Sequence, residues 1–442
     1  VSRIAVVGGG IAGLTAAVRA SRAHEVVVFE REATTGGKIR SQPLAGGFLF
    51  EWGPSGFLDS AAEVQGLVDD LGLRDALTPA REAAKKRFIY WRGALHALPA
   101  KPPHALGMTL LSPLGKLRAL RELTIGPHGG ADDESVHAFM QRRFGREVAE
   151  RLVAPALLGI SGGDAATTSM AAMFPRVREI VAEHGSVLRG LMRGPRRSTS
   201  LMSFAAGGMQ TLTDRLAERL GERVRCGVTV ERIERDGDAW RIVCPEGTTT
   251  ADAVIVATPA DAAARLLAGV DAELAARLRE IPYAPMRAVG VAFRAADVPT
   301  PLDGFGFLVA RKQGVRMLGV FYTSTIIPEH APPDVAYLRI FLGGATDPGI
   351  AALDADAVRA IVLDDLRTTL GITAAPIAHH EVLWPQAIPQ YTLAHRAIVT
   401  AIEAREAQLP RFALAGNAYR GLGVGDTVRD ALAVATRISA RF

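Results

Sequence analysis

The chain has 442 residues, too many for one hydrophobic core, so two or more domains are expected. Hydrophobic residues make up 48% and charged residues 22%, which excludes a disordered or collagen-like chain. The net charge of +5 favours an anionic ligand or an anionic membrane surface only weakly. Basic residues fall in short groups, Ala84-Lys85-Lys86-Arg87 and Pro195-Arg196-Arg197, too sparse for a nucleic-acid groove. No nucleic-acid partner is expected. Cys226 and Cys244 have no CxxC spacing and no His cluster, so two semi-buried thiols are expected, with no disulfide framework and no metal site. Ile4 to Val7 already reads as a strand, so no export signal is expected and the location is read as cytoplasmic. Ser198 to Thr213, the longest uncharged stretch, is rich in Ser, Thr and Gly. It is no spanning helix, which needs about 20 apolar residues.

In chain order, Ile4-Ala5-Val6-Val7 is a continuous apolar run suited to a parallel strand buried on both faces. Gly8-Gly9-Gly10-Ile11-Ala12-Gly13 follows and fits G-x-G-x-x-G. A helix is predicted from Leu14 to Arg22, then a strand from Glu25 to Phe29 that closes on Glu30. Gly8 permits the tight turn, Gly10 lets the backbone approach a pyrophosphate, and Gly13 lets helix and strand pack closely. Ile11 and Ala12, between the glycines, are assigned to the cofactor, the amides and dipole of the helix N-terminus favour the phosphates, and Glu30 is placed to accept ribose hydroxyls. This order of strand, glycine turn, helix, strand and acid is that of a Rossmann-type unit.

Glu30-Arg31-Glu32-Ala33-Thr34-Thr35-Gly36-Gly37-Lys38 resembles the second glycine motif of the large FAD-binding oxidoreductase family that includes amine oxidases and carotenoid desaturases. The resemblance implies that Arg31, Gly37 and Lys38 lie near the dinucleotide. Residues 81–200 are predicted to open on a hairpin around Arg87 to Trp91 and to become mainly helical. Val136, Phe139, Met140, Phe144, Val148 and Leu152 make one apolar stripe, with Arg142, Arg143, Arg146 and Glu150 on other faces. The Pro-rich stretch Leu98 to Pro113, with Met108, Leu110, Leu111, Lys101 and Lys116, is a surface loop or a membrane-touching one. Phe204 to Met209 precedes a helix through Leu220, and Val224 to Ile233 alternates like a strand. Ala253 to Pro259 and Phe412 to Asn417 resemble the strands that return the chain to the FAD domain. A helix is predicted from Val428 to Ser439. Residues 261–384 read as a helix at 263–279 followed by strands at 289–293, 305–309, 317–322 and 337–342.

The expected fold class is α/β with α+β. It comprises a discontinuous FAD-binding domain (1–80, 201–260, 385–442), a mainly helical insertion (81–200) facing substrate or membrane, and a substrate-binding sheet domain (261–384).

Four segments resemble oxygen-dependent protoporphyrinogen oxidases: Glu51 to Leu58, Arg87 to Pro99, Asp303 to Val309 and Trp384 to Tyr391. The resemblance covers nearly the whole chain. It implies noncovalent FAD, since the terminal segment has no Cys, and oxidation of protoporphyrinogen IX to protoporphyrin IX with oxygen reduced to hydrogen peroxide. It places Gly53, Pro54, Ser55, Gly56, Val230, Trp384, Gly416, Leu422, Gly423 and Val424 at the cofactor. Arg87 is expected to pair with a substrate propionate, Gly159 to turn a carbonyl to the pyrrole nitrogens, and Phe305, Leu308 and Phe341 to line the cavity. Core packing is the competing role for those three apolar residues. No catalytic acid, base or nucleophile is assigned, and His96 has no triad partners. Gly421 to Thr427 departs from the commoner family ending in Asn-Asp-Cys, which leaves the flavin contacts there open. Coproporphyrinogen III oxidation, amine oxidation and a non-catalytic flavin-binding scaffold are the alternatives. The apolar product makes peripheral contact with the inner face of a membrane, and transient docking to a downstream haem-pathway enzyme, further expectations.

Overall fold

The first apolar run becomes the central strand of a five-stranded parallel sheet. Its order is Val224–Cys226, Glu25–Glu30, Arg3–Val7, Ala253–Val256 and Phe412–Leu414. The structure, a computed structural model, describes residues 2–99, 107–127, 131, 133–194 and 200–442. The sheet is covered on both sides, which is why its strands are apolar without alternation. Ile4 and Val6 face the helices Ile11–Ala20, Gln210–Leu220 and Val424–Ser439. Ala5 and Val7 face the helices Ala260–Leu267 and Ala272–Arg279 and the antiparallel meander Arg232–Asp236, Ala239–Cys244, Gly247–Ala251.

A seven-stranded sheet forms the second layer. Its order is Ala378–Pro389, Tyr283–Arg294, Val335–Gly343, Gly319–Tyr322, Gly306–Val309, Phe88–Trp91, Ala94–Ala97. Every pairing is antiparallel except Gly306–Val309 with Phe88–Trp91. One face packs Val289, Val291, Leu338, Ile340 and Val320 against the Ala355–Leu370 helix. The opposite face is met by the hairpin Ser41–Leu44/Phe48–Glu51 at one end and by the helical unit at the other.

Several sequence expectations change. Two of the domain boundaries cut through this sheet: residues 88–97 join it from the region assigned to the helical insertion, and the 384/385 boundary falls inside the Ala378–Pro389 strand. Leu201–Phe204 pairs with Phe57–Leu58 and Leu77–Pro79 in a small antiparallel sheet of its own. The single strand expected from 224 to 233 is two, in different sheets, with Gly227 turning at φ 74° between them. The 263–279 helix is likewise two, because Asp271 caps a new N-terminus by accepting the Leu274 amide at 2.9 Å. Cys226 is exposed and Cys244 buried rather than both semi-buried. The first helix begins three residues early, at Ile11, and the last four residues early, at Val424. Lys101 and Pro195-Arg196-Arg197 lie outside the described residues.

The 136–152 stripe is also interrupted, by Gly145 at φ 95°. Arg143, expected on another face, is fully buried. Its Nε donates to Glu122 at 2.9 Å and its Nη2 to the Gly185 carbonyl at 2.7 Å. Glu122 is buried too and accepts from Ser186 Oγ at 2.6 Å and the Val187 amide at 2.8 Å. The pair ties the Val136–Phe144 helix to the start of Val187–Arg193. Glu122→Ala, which leaves a buried guanidinium unpaired, is expected to cost about 3–5 kcal/mol. Chemical denaturation is the measurement, and the Glu122→Leu/Arg143→Met double variant is expected to recover part of the loss.

Candidate active site

Three stretches of backbone converge above the parallel sheet at distances that exclude side chains. Gly8 has φ 109°, and a Cβ there would lie 2.8 Å from the Ala257 carbonyl oxygen. A Cβ on Gly13 would lie 1.9 Å from the Gly8 oxygen. The Gly36 amide donates to the Gly9 carbonyl at 2.9 Å, and Gly37, at φ 60°, brings its backbone against Gly10. A Cβ on Gly53 would be 1.9 Å from the Lys38 oxygen, which places the Gly53–Gly56 segment directly behind the second glycine turn. Gly10 differs from the others: nothing comes closer than 3.9 Å to a Cβ built on it. The protein leaves room there, as a loop must for a pyrophosphate to approach.

Glu30 is buried at the end of its strand. Its Oε2 accepts the Gly9 amide at 2.6 Å and its Oε1 the Glu32 amide at 2.9 Å. The carboxylate therefore shapes the glycine loop, and it keeps lone pairs that could accept further hydrogen bonds. The Val228 amide donates to the Glu30 carbonyl at 2.9 Å, which carries Val230 past this end of the sheet, half-buried. Arg31 is exposed and paired with Glu32 at 3.0 Å. Lys38 turns inward: Nζ donates to the Ala387 carbonyl at 2.6 Å and stands 5.2 Å from the Tyr283 ring centre. Burial lowers its pKa to about 8, and an anionic ligand beside it would raise it again.

At the other end of the sheet, Gly416 has φ 130° and donates its amide to Asp430 at 3.1 Å. That amide is committed within the protein. Tyr391 Oη accepts the Gly421 amide at 2.7 Å and donates to the Asn417 carbonyl at 2.9 Å, which holds the loop before the last helix. Leu422 and Gly423 lead into the sixteen-residue Val424–Ser439 helix, whose N-terminal dipole favours developing negative charge. Trp384 donates its indole N–H to the Trp52 carbonyl at 2.9 Å. It links the long sheet to the segment before Pro54.

The register of the seven-stranded sheet sets a second group of residues. Ala288, Phe341, Gly319, Leu308 and Ile89 are successive cross-strand neighbours and so share a face. Arg339 and Phe321 form the next row of that face, also paired. Gly306, at φ 133° and with no room for a Cβ (1.9 Å to the Val320 oxygen), lets the chain swing Phe305 toward Phe321. The ring centres of Phe305 and Phe321 are 4.8 Å apart, as are those of Phe321 and Phe341, all edge-on and half-buried. Leu308 meets Gly159 of the helical unit, where a Cβ would lie 2.4 Å from Leu308 Cδ2. Arg87 is exposed, with its guanidinium 5.4 Å from the Phe305 ring centre. The structure thus brings Arg87, Gly159, Phe305, Leu308 and Phe341 to one apolar floor with a cation at its edge. His96 bonds to the Trp91 carbonyl and Thr109.

These two groups have counterparts in known proteins. A family profile described as flavin containing amine oxidoreductase matches residues 11–439. The chain belongs to that family. It is 31% identical to protoporphyrinogen oxidase 2 of Arabidopsis thaliana over 96% of this chain and 91% of that one. It is 32% identical to protoporphyrinogen oxidase of Bos taurus over 98% of each. A crystal structure from Exiguobacterium sp. 255-15, itself a candidate protoporphyrinogen oxidase, superposes with a TM-score of 0.86 at 25% identity, covering 100% and 99% of the two chains. Cyclohexylamine oxidase from Brevibacterium oxydans shares the fold, with a TM-score of 0.71 at 18% identity over 99% of each chain. The protein is an FAD-dependent oxidoreductase, and the glycine cradle, Glu30 and Lys38 fit that dinucleotide.

Sequence reasoning missed Phe321, the middle ring of the floor, whose signal was its two-residue spacing from Gly319. It also missed Arg339, a charge inside the apolar run Val335–Gly343, and Glu51. Burial raises Glu51 to about 7 and lowers Arg339 to about 10. Because Gly10 is open on the protein side, Gly10→Ala is expected to leave the unfolding temperature of the flavin-free protein unchanged. It should weaken FAD binding about tenfold or more, roughly 1.4 kcal/mol. Flavin fluorescence titration checks this, with Gly13→Ala as the contrasting variant that disturbs the fold itself.

Proposed function

We propose that the protein oxidises protoporphyrinogen IX to protoporphyrin IX in tetrapyrrole biosynthesis, with oxygen as terminal acceptor and hydrogen peroxide as by-product. The observation that carries this reading is the apolar Phe305–Phe321–Phe341 floor with Arg87 at its edge. A flat macrocycle needs aromatic faces without competing hydrogen bonds, and its propionates need a cation at the rim. Arg87 suits the second task because a guanidinium fork binds a carboxylate through two hydrogen bonds. Neighbouring cations are engaged: Lys86 with Asp303, Arg311 with Asp164 and Arg151 with Glu147. That supply favours the two propionates of protoporphyrinogen over the four of coproporphyrinogen.

FAD supplies the acceptor for the hydride removed in each two-electron step. The chain's part is to orient the ring and exclude water. Pocket residues carry no assigned base, so the protons leave through the substrate's own nitrogens or solvent.

The helical unit supports a membrane-surface contact. Leu114, Leu117 and Leu120 on the Pro113–Leu120 helix and Leu191 and Met192 on Val187–Arg193 are exposed on both sides of the Arg121–Thr124 turn. Arg118, Arg121, Arg189 and Arg193 are interspersed with them. Among the described residues no helix is long and apolar enough to cross a bilayer, so this contact is peripheral. A downstream enzyme that takes up the apolar product would dock from the same surface.

Anaerobic mixing with protoporphyrinogen IX should bleach the flavin in the purified holoenzyme faster than coproporphyrinogen III does; the reverse order would overturn the substrate assignment. Arg87→Ala should raise the half-saturating substrate concentration by about tenfold or more while keeping FAD content, because one charge-assisted contact contributes about 1.5–3 kcal/mol. Leu117→Glu/Leu191→Glu should reduce co-sedimentation with anionic vesicles and leave flavin bleaching unchanged.

A further inference from the structure

Arg339 is 3% exposed in the centre of the long sheet. A guanidinium at that depth is costly unless its donors are used. Its Nη1 donates to Ser55 Oγ at 2.5 Å and its Nη2 to the Gly53 carbonyl. The same group stands beside the floor, 4.8 Å from the Phe341 ring centre, and Phe321 is its cross-strand neighbour. Gly290, paired with it on the other side, has no Cβ to crowd the row. Glu51 lies behind, held by Ser41 Oγ at 2.7 Å and the Met209 amide at 2.8 Å, within electrostatic reach of the guanidinium. Glu51, Ser55, Phe321, His330, Tyr337 and Arg339 close round a cavity of about 10 Å³, room for a single water. Arg339 Nε and Tyr337 Oη have no hydrogen-bond partner among the described atoms.

The contacts run on from there without a gap. Gly53 presses on Lys38, Lys38 follows Gly37, and Gly37 meets Gly10. Arg339 therefore joins the substrate floor to the segment backing the dinucleotide loop. We infer that Arg339 is a positioning residue that sets the spacing between the aromatic floor and the flavin by clamping Gly53 and Ser55. This rests on the reading of the floor as the porphyrinogen site. Loss of the clamp lets the two layers shift, and reacting atoms misplaced by about 1 Å slow a reaction by as much as about 100-fold.

The test uses the holoenzyme and two variants, Arg339→Lys and Arg339→Met/Glu51→Gln, the second of which leaves no buried unpaired charge. Anaerobic stopped-flow bleaching with protoporphyrinogen IX should show the limiting rate falling by about 10- to 100-fold. The half-saturating concentration should change much less, the opposite of the Arg87→Ala pattern. The lysine variant should recover part of the rate, and the visible flavin bands of both variants should shift, because the flavin surroundings have moved. Unchanged bands together with an unchanged limiting rate in either folded variant overturn the inference. If wild-type flavin is not bleached by either porphyrinogen, the substrate reading fails. The flavin bands and the FAD dissociation rate of Arg339→Lys then decide the clamp by themselves, unchanged values overturning it. If the double variant does not fold, the lysine variant alone carries the same comparison.

Discussion

The close passage of backbone over backbone at the head of the parallel sheet sets the terms for everything above it. Gly13 against the Gly8 carbonyl, Gly36 and Gly37 against the first loop, and Gly53 against Lys38 make a stack of main chain with no room for Cβ atoms. Such contact aligns amide donors and the positive ends of helices on one small volume, where a dinucleotide diphosphate is the natural ligand. Glycine loses more conformational entropy on folding than other residues. The buried carboxylate of Glu30, accepting two loop amides, offsets part of that cost.

The two sheets solve the covering problem differently, and function follows from the difference. The parallel sheet is packed on both faces, so it is a rigid base with its site at the strand ends. The seven-stranded sheet is packed fully on one face by the Ala355–Leu370 helix. Its other face is covered at the two ends, by the Phe48–Glu51 strand and by the helical unit, and the Phe305–Phe321–Phe341 run lies between, with Phe305 and Phe321 packed in part against Ala84, Ile326 and Ile327. Gly306 and Gly319 are the thin places in that face, and their lack of a side chain lets three aromatic rings gather there.

Buried charge marks the joints between parts. Glu122 and Arg143 hold the helical unit together, Arg287 and Glu381 pair across the long sheet at 2.7 Å, and Arg420 meets Asp430 at 2.7 Å beneath the loop before the last helix. Buried pairs contribute little net stability, yet removing one partner is expensive. Their value here is geometric: each allows one arrangement of the elements that it joins.

Local order along the chain was enough to read the dinucleotide unit, because strand, glycine turn, helix, strand and acid are consecutive and each has one physical job. The strands between 283 and 343 were also placed from the sequence, though shorter than Tyr283–Arg294 and Val335–Gly343 prove to be. Resemblance, rather than spacing, named Arg87, Gly159 and the floor residues. Only the tertiary structure could show that residues 88–97 complete the long sheet, that Arg143 is interior, and that the Gly416 amide is already taken. It also supplied Phe321 and Arg339. Their roles depend on cross-strand register and on partners as far as 286 positions away in sequence. Periodicity says that a residue faces inward; which residue meets it there is decided by how separate strands align, and no local pattern encodes that.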